Sequence, residues 1–202
     1  MMKTYTIVRT DKPPVWSEIP PLAIDARRKT PVTDVTASAQ LCYDEAALYL
    51  HLATREADIL AVQNGVLGQP SEDSCLEFFF SPMQGDLRYL NFEWNLNGCL
   101  FLGFSRDSST LLRILPEEER AEDLFSPSVS RTADGWEIFF RIPAEFVRRF
   151  FPDFRLESGK TIRANCYKCG GRKGERHYLT WSPVPDTENF HTPHNFGEMT
   201  LE

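Results

Sequence analysis

Apolar residues in this chain recur at every second position over short segments, the period of half-buried β-strands rather than of helices. In Ala47-Leu48-Tyr49-Leu50-His51-Leu52 the leucines share one face while Tyr49 and His51 share the other. Residues 35–42, followed by Tyr43-Asp44-Glu45, read as a partner strand and turn, so a hairpin is expected over 35–53. Residues 57–70 have no clean period, and then Cys75-Leu76-Glu77-Phe78-Phe79-Phe80 is an apolar run of buried-strand type in which Glu77 stands out. Leu90, Phe92, Trp94 and Leu96 alternate strictly with Tyr89, Asn91, Glu93 and Asn95, and Asn97-Gly98 predicts a two-residue hairpin turn into a strand over 99–104. Residues 129–132 and 136–142 flank an Ala133-Asp134-Gly135 turn as another hairpin. Residues 143–150 open with proline as a helix can, and this is expected to be the only substantial one. Residues 107–123, including the run Pro116-Glu117-Glu118-Glu119-Arg120, read as a solvated loop with at most a short helical turn. Strands over 161–169, 177–181 and 196–201 bring the total to about nine or ten, the pattern of an all-β sandwich with one short helix.

The chain is 202 residues long and 42% hydrophobic, which suits one domain spanning 1–202 around a sizeable core, with no repeat or linker. A formal charge of −7 with no Lys- or Arg-rich patch removes the electrostatic basis for nucleic-acid binding, so no such partner is expected. No apolar run reaches the roughly 18–20 residues a bilayer requires, so no membrane association is expected either. The first residues lack the apolar stretch of a secretion signal, because Arg9, Asp11 and Lys12 interrupt it, which predicts a cytoplasmic protein. Five irregularly spaced cysteines agree with reduced thiols there.

Few residues suggest chemistry outright. Cys166 and Cys169 have redox or half-zinc spacing, but residues three apart on a strand face opposite ways. His191 and His194 could chelate a metal if a carboxylate joined them. Nucleophile elbow, zinc-helix and phosphate-loop motifs are all missing. Glu77 and Glu93 could form a glycosidase acid/base pair at a suitable separation. The most unusual feature is polar residues alternating with apolar ones: Asn91, Glu93 and Asn95 on one strand, Arg163, Asn165 and Tyr167 on another. Two readings stand: a solvated outer face, or a rigid platform that hydrogen-bonds a polyhydroxylated ligand beside an aromatic ring.

Six blocks favour the second. They are Asp73-Ser74-Cys75-Leu76-Glu77-Phe78-Phe79, Tyr89-Leu90-Asn91-Phe92-Glu93-Trp94-Asn95, Trp136-Glu137-Ile138 with Ile142-Pro143, Arg163-Ala164-Asn165, Thr180-Trp181-Ser182-Pro183, and Asn189-Phe190-His191 followed by Pro193 and Phe196-Gly197. In order and spacing they resemble the family 9 carbohydrate-binding module and its DOMON-like relatives, from about residue 22 to the C-terminus. The resemblance implies a sandwich related to jelly rolls and immunoglobulin-like folds. It also implies non-catalytic binding of a sugar or oligosaccharide end in carbohydrate catabolism, with a possible glycoside hydrolase partner encoded separately.

Residue by residue, Glu77 matches the family's ligand-binding glutamate and Asn95 a ligand-contacting asparagine. Glu93 stands where the family has an arginine, and Tyr167 where it has a glutamine, two residues after the matching Asn165. Phe190 replaces the second tryptophan of an aromatic clamp, while the first has no counterpart, Pro70 standing near its place. The carbohydrate-binding set is therefore Glu77, Glu93, Asn95, Tyr167 and Phe190, with no catalytic residue. Structural calcium occurs in the family and is possible here, but its ligands are not matched residue by residue, so no cofactor is expected and metal is left unassigned. Three alternatives remain: a hydrolase using Glu77 and Glu93, a haem-binding DOMON-like module drawing on Met83, Met199 and the four histidines, and a sandwich that serves protein interaction.

Overall fold

The computed structural model describes residues 2–11, 13–28, 33–115 and 118–202. From the N-terminus, β1 (Thr4–Arg9) precedes two short strands, β2 (Leu22–Ile24) and β3 (Ala26–Arg27), and the expected hairpin of β4 (Thr36–Tyr43) and β5 (Ala47–Arg55). A meander follows, of β6 (Cys75–Ser81), β7 (Tyr89–Asn95), β8 (Leu100–Ser105) and β9 (Leu112–Ile114). Helix α1 (Glu118–Phe125) leads to the hairpin of β10 (Ser128–Arg131) and β11 (Gly135–Pro143), and then to helix α2 (Ala144–Arg148). The chain closes with β12 (Thr161–Gly170), β13 (His177–Thr180) and β14 (Gly197–Leu201).

One hydrogen-bonded path, β10-β11-β5-β4-β1-β14-β12-β6-β7-β8-β9, curls into two layers. The crossing point is β1, which runs parallel to β14 through Thr4 to Ile7 and then parallel to β4 through Val8 and Arg9. Between the layers lie Leu48, Leu50 and Leu52 of β5 and Trp136, Ile138 and Phe140 of β11. They face Leu76, Phe78 and Phe80 of β6 and Leu90, Phe92 and Trp94 of β7, all at most 3% exposed. Each such side chain contributes roughly 1.5–3 kcal/mol on leaving water. Among the described residues no helix is long and apolar enough to cross a membrane.

Two local expectations are corrected, and one of the two open readings is settled. The longer helix is α1, in the segment read as solvated, and α2 has only five residues. Ala121, Leu124 and Phe125 supply a helical apolar stripe, and Phe125 is fully buried edge-on to Phe92 at 5.2 Å. The β7–β8 turn is not a two-residue one. Asn95 N–H donates to Cys99 C=O and Gly98 N–H to Asn95 C=O, so three residues form the loop, with Gly98 alone at positive φ (+72°). Finally, the polar faces of β7 and β12 are not solvated: Asn91, Glu93, Asn95, Asn165 and Tyr167 are at most 5% exposed. Residues 57–74 and 182–196 fold over that face, and Phe79, Tyr89, Tyr167, Val184 and Phe196 form a second apolar cluster beneath the latter segment.

Candidate functional site

Strand alternation sends Cys75, Glu77 and Phe79 to this covered face of β6, Asn91, Glu93 and Asn95 to that of β7, and Asn165, Tyr167 and Cys169 to that of β12. The register stacks them in rows across the sheet: Cys169, Cys75 and Asn95; then Tyr167, Glu77, Glu93 and Phe101; then Asn165, Phe79, Asn91 and Gly103. Gly103 is required in the last row, because a Cβ there would collide with the Asn91 side chain.

Asparagines in these rows anchor the covering loops. Asn165 donates from Nδ2 to Ser182 C=O (2.9 Å) and accepts at Oδ1 from Ser182 N–H (2.8 Å). Asn95 donates from Nδ2 to Gln63 C=O and Asp73 Oδ2, and accepts at Oδ1 from Asn97 and Cys99 N–H, all within 3.0 Å. Tyr167 is fully buried, donates to Phe190 C=O at 3.1 Å and stacks on the Phe190 ring at 4.1 Å. Asn95 and Tyr167 thus lie outside the wall of the cavity that remains.

That cavity is open and holds about 470 Å³, within the range of small-molecule sites. Glu77, Glu93 and Cys169 form its floor with Phe101, and Phe190, His191, Tyr178, Gln69 and Ser71 line it above; Arg28 and Arg176 also line it, their guanidiniums donating to backbone carbonyls of Glu188 and Ser71. Of the expected residues, the fold brings together Glu77, Glu93 and Phe190. The arginines, Tyr178 and Cys169 were not foreseen. Cys169 was detectable, two residues beyond Tyr167 on the same face; Arg176 sits where its strand turns back, with no local signal.

Burial pushes the Glu77 and Glu93 carboxyls well above the usual carboxylate range, and for Glu93 the neighbouring Glu77 adds to the effect. Asn91 Nδ2 donates to Glu93 Oε1 at 2.8 Å, and Cys169 Sγ to Glu77 Oε1 at 3.2 Å. Burial also lowers His191 to about 4, so the ring is neutral near pH 7, with Nδ1 hydrogen-bonded to the Tyr89 hydroxyl at 2.8 Å. Neutral imidazole and protonated carboxyl can each donate and accept, as hydroxyl ligands demand. The remaining histidines have separate partners: His51 meets Gln40 and Glu137, His177 meets Lys168, and His194 meets Glu188. Met199 lies in the core and Met83 packs at its edge. Among the described residues Cys75, Glu77 and Cys169 are the one convergence of three or more His, Cys, Asp or Glu ligands. Two thiols in three donors do not suit calcium, which takes six to eight oxygens.

A β-sandwich offering carboxyls, a neutral imidazole and aromatic rings in one open cavity is built as a ligand-binding module. The sequence profile described as carbohydrate-binding family 9 matches residues 32–201. The chain belongs to that family. A candidate carbohydrate-binding protein from Bacteroides uniformis is 26% identical over 100% of both chains, with a TM-score of 0.79. A family 9 carbohydrate-binding module from Caldicellulosiruptor kristjanssonii in complex with glucose has a TM-score of 0.68 at 14% identity, over 99% of this chain and 96% of that one. The cellotriose complex of a family 9 module from the same organism gives 0.67 at 15%, over 99% and 94%. No curated protein matches the sequence.

Proposed function

We propose that the cavity over β6 and β7 binds a sugar ring at the end of an oligosaccharide without cleaving it. The carrying observation is the pairing of Glu77 and Glu93 on one floor with Phe190 and Tyr178 on the adjoining wall. Family membership supports the ligand class, as do the glucose and cellotriose held by the related modules. Where the resemblance expects a first clamp ring, Pro70 is buried and Gln69 lines the cavity, so that wall hydrogen-bonds rather than stacks.

Family membership in a class of binding modules favours binding over hydrolysis, and the state of the two carboxyls agrees with it. Glycoside hydrolysis needs an acid and a carboxylate flanking the scissile bond, with pKa values driven apart. Glu77 and Glu93 stand side by side in register, and burial drives both the same way.

Calorimetric titration with glucose and cellotriose, together with a glycan array, tests the proposal. Saturable binding is expected, and Phe190→Ala should weaken it about 5–30-fold, the ~1–2 kcal/mol that an aromatic wall contributes. Absence of binding to every mono- and oligosaccharide overturns it.

A further inference from the structure

We propose that Cys75, Cys169 and Glu77 form a binding site for a soft tetrahedral divalent cation, with Zn²⁺ the best fit, at the floor of the cavity. The three come from two central strands whose register fixes them. Cys75 and Cys169 face each other across the β6–β12 pair, and Glu77 follows Cys75 by two residues on the same face. Their donor atoms all lie within 4.8 Å of one another, and Cys169 Sγ is 3.2 Å from Glu77 Oε1. Tetrahedral zinc places two sulfur ligands about 3.8 Å apart and a sulfur and an oxygen about 3.6 Å apart, so small side-chain shifts close the site.

A second observation points the same way. Glu77 and Glu93 sit directly opposite each other, 2% and 5% exposed, and among the described residues neither forms a direct ion pair, Arg176 and Arg113 acting on them only as weaker electrostatic neighbours. Like charges in that relation repel, and buried carboxylates require a cation or a proton. A divalent ion on Glu77 supplies that positive charge. Cys169 and Glu77 both line the open cavity, which gives the ion an entry path and leaves its fourth position to water or a ligand hydroxyl. Sulfur donors select zinc over calcium or magnesium. The site shares Glu77 with the proposed sugar cavity but does not depend on sugar binding.

The test is a Co²⁺ titration of reduced, chelator-treated protein, followed by displacement with Zn²⁺. Expected are one ion per chain, a thiolate-to-cobalt charge-transfer band and intense tetrahedral d–d bands, all lost on adding Zn²⁺. Cys75→Ala and Cys169→Ala should each weaken the charge-transfer band and the double variant should abolish it, and Glu77→Gln should weaken metal affinity at least about tenfold; Cys42→Ala should leave the band intact. Because a buried variant can misfold, thermal melting of the wild type gives a second reading: Zn²⁺ should raise Tm and Ca²⁺ should not. No band in the reduced wild type, or a band surviving in folded Cys75→Ala/Cys169→Ala, overturns the site. Glucose and cellotriose titrations of the metal-free protein are read separately, so failure of the metal site and failure of the sugar reading are distinguishable.

Discussion

Asn95→Ala separates a residue that touches ligand from one that holds the scaffold. The side chain makes four hydrogen bonds, and truncation removes all of them. The buried Cys99 N–H loses its partner, at a cost of about 1–3 kcal/mol, and the charge-assisted bond to Asp73 accounts for about 1.5–3 kcal/mol. The bonds to Asn97 and Gln63 lie closer to water and count for less. Water entering the vacated space offsets part of this, which leaves a net loss of about 2–4 kcal/mol. For a chain of this size that lowers Tm by roughly 6–12 °C at the midpoint of the range. Urea unfolding should show the loss, while calorimetry on the folded fraction should give wild-type affinity for cellotriose. Unchanged stability with abolished sugar binding would refute the placement of Asn95 outside the cavity.

Glu77→Gln should change how stability depends on pH in the metal-free protein. The folded-state pKa of Glu77 is raised, so the native state binds its proton more tightly than the unfolded chain does. That stabilisation is complete below the ordinary carboxylate range and is lost as pH rises through the folded pKa; each tenfold difference in proton affinity between the two states is worth about 1.4 kcal/mol. Glu77→Gln should therefore be more stable than wild type near pH 7 in urea melts, and the advantage should vanish toward pH 4; an advantage that grows in acid contradicts this. The buried pair of Lys168 and Glu56, with Nζ 3.2 Å from Oε2, gives another prediction. Lys168→Met strands the Glu56 carboxylate and should cost about 3–5 kcal/mol. Adding Glu56→Gln, which keeps an acceptor for Trp136 Nε1, should recover at least half of it; a double variant as unstable as the single one argues against an ionic origin.

Much of the sandwich was legible. The strict alternation in β7 and the short apolar run of β6 specify strands with one core face, and that property is local, fixed by side-chain period. The meander and the β4–β5 hairpin follow, because neighbouring strands joined by short turns pair. Helix α1 was obscured because its charged residues outnumber the three apolar ones that dock it. The short β2, β3 and β9, of three, two and three residues, were unmarked because so few residues carry too little pattern.

The candidate site divides along the same line. Alternation by itself determined that Glu77 and Glu93 point away from the core, and the family blocks marked Phe190 as a wall. What covers that outer face was decided by the tertiary structure. Residues 57–74 and 182–196 close over it, turn Asn95 and Asn165 into loop anchors, and hide Tyr167 beneath Phe190. Register between distant strands then brought Cys169, almost a hundred residues away in sequence, against Cys75 and Glu77. A period of two tells which residues share a face; which of them meet, and whether water reaches them, depends on long-range pairing that no local pattern encodes.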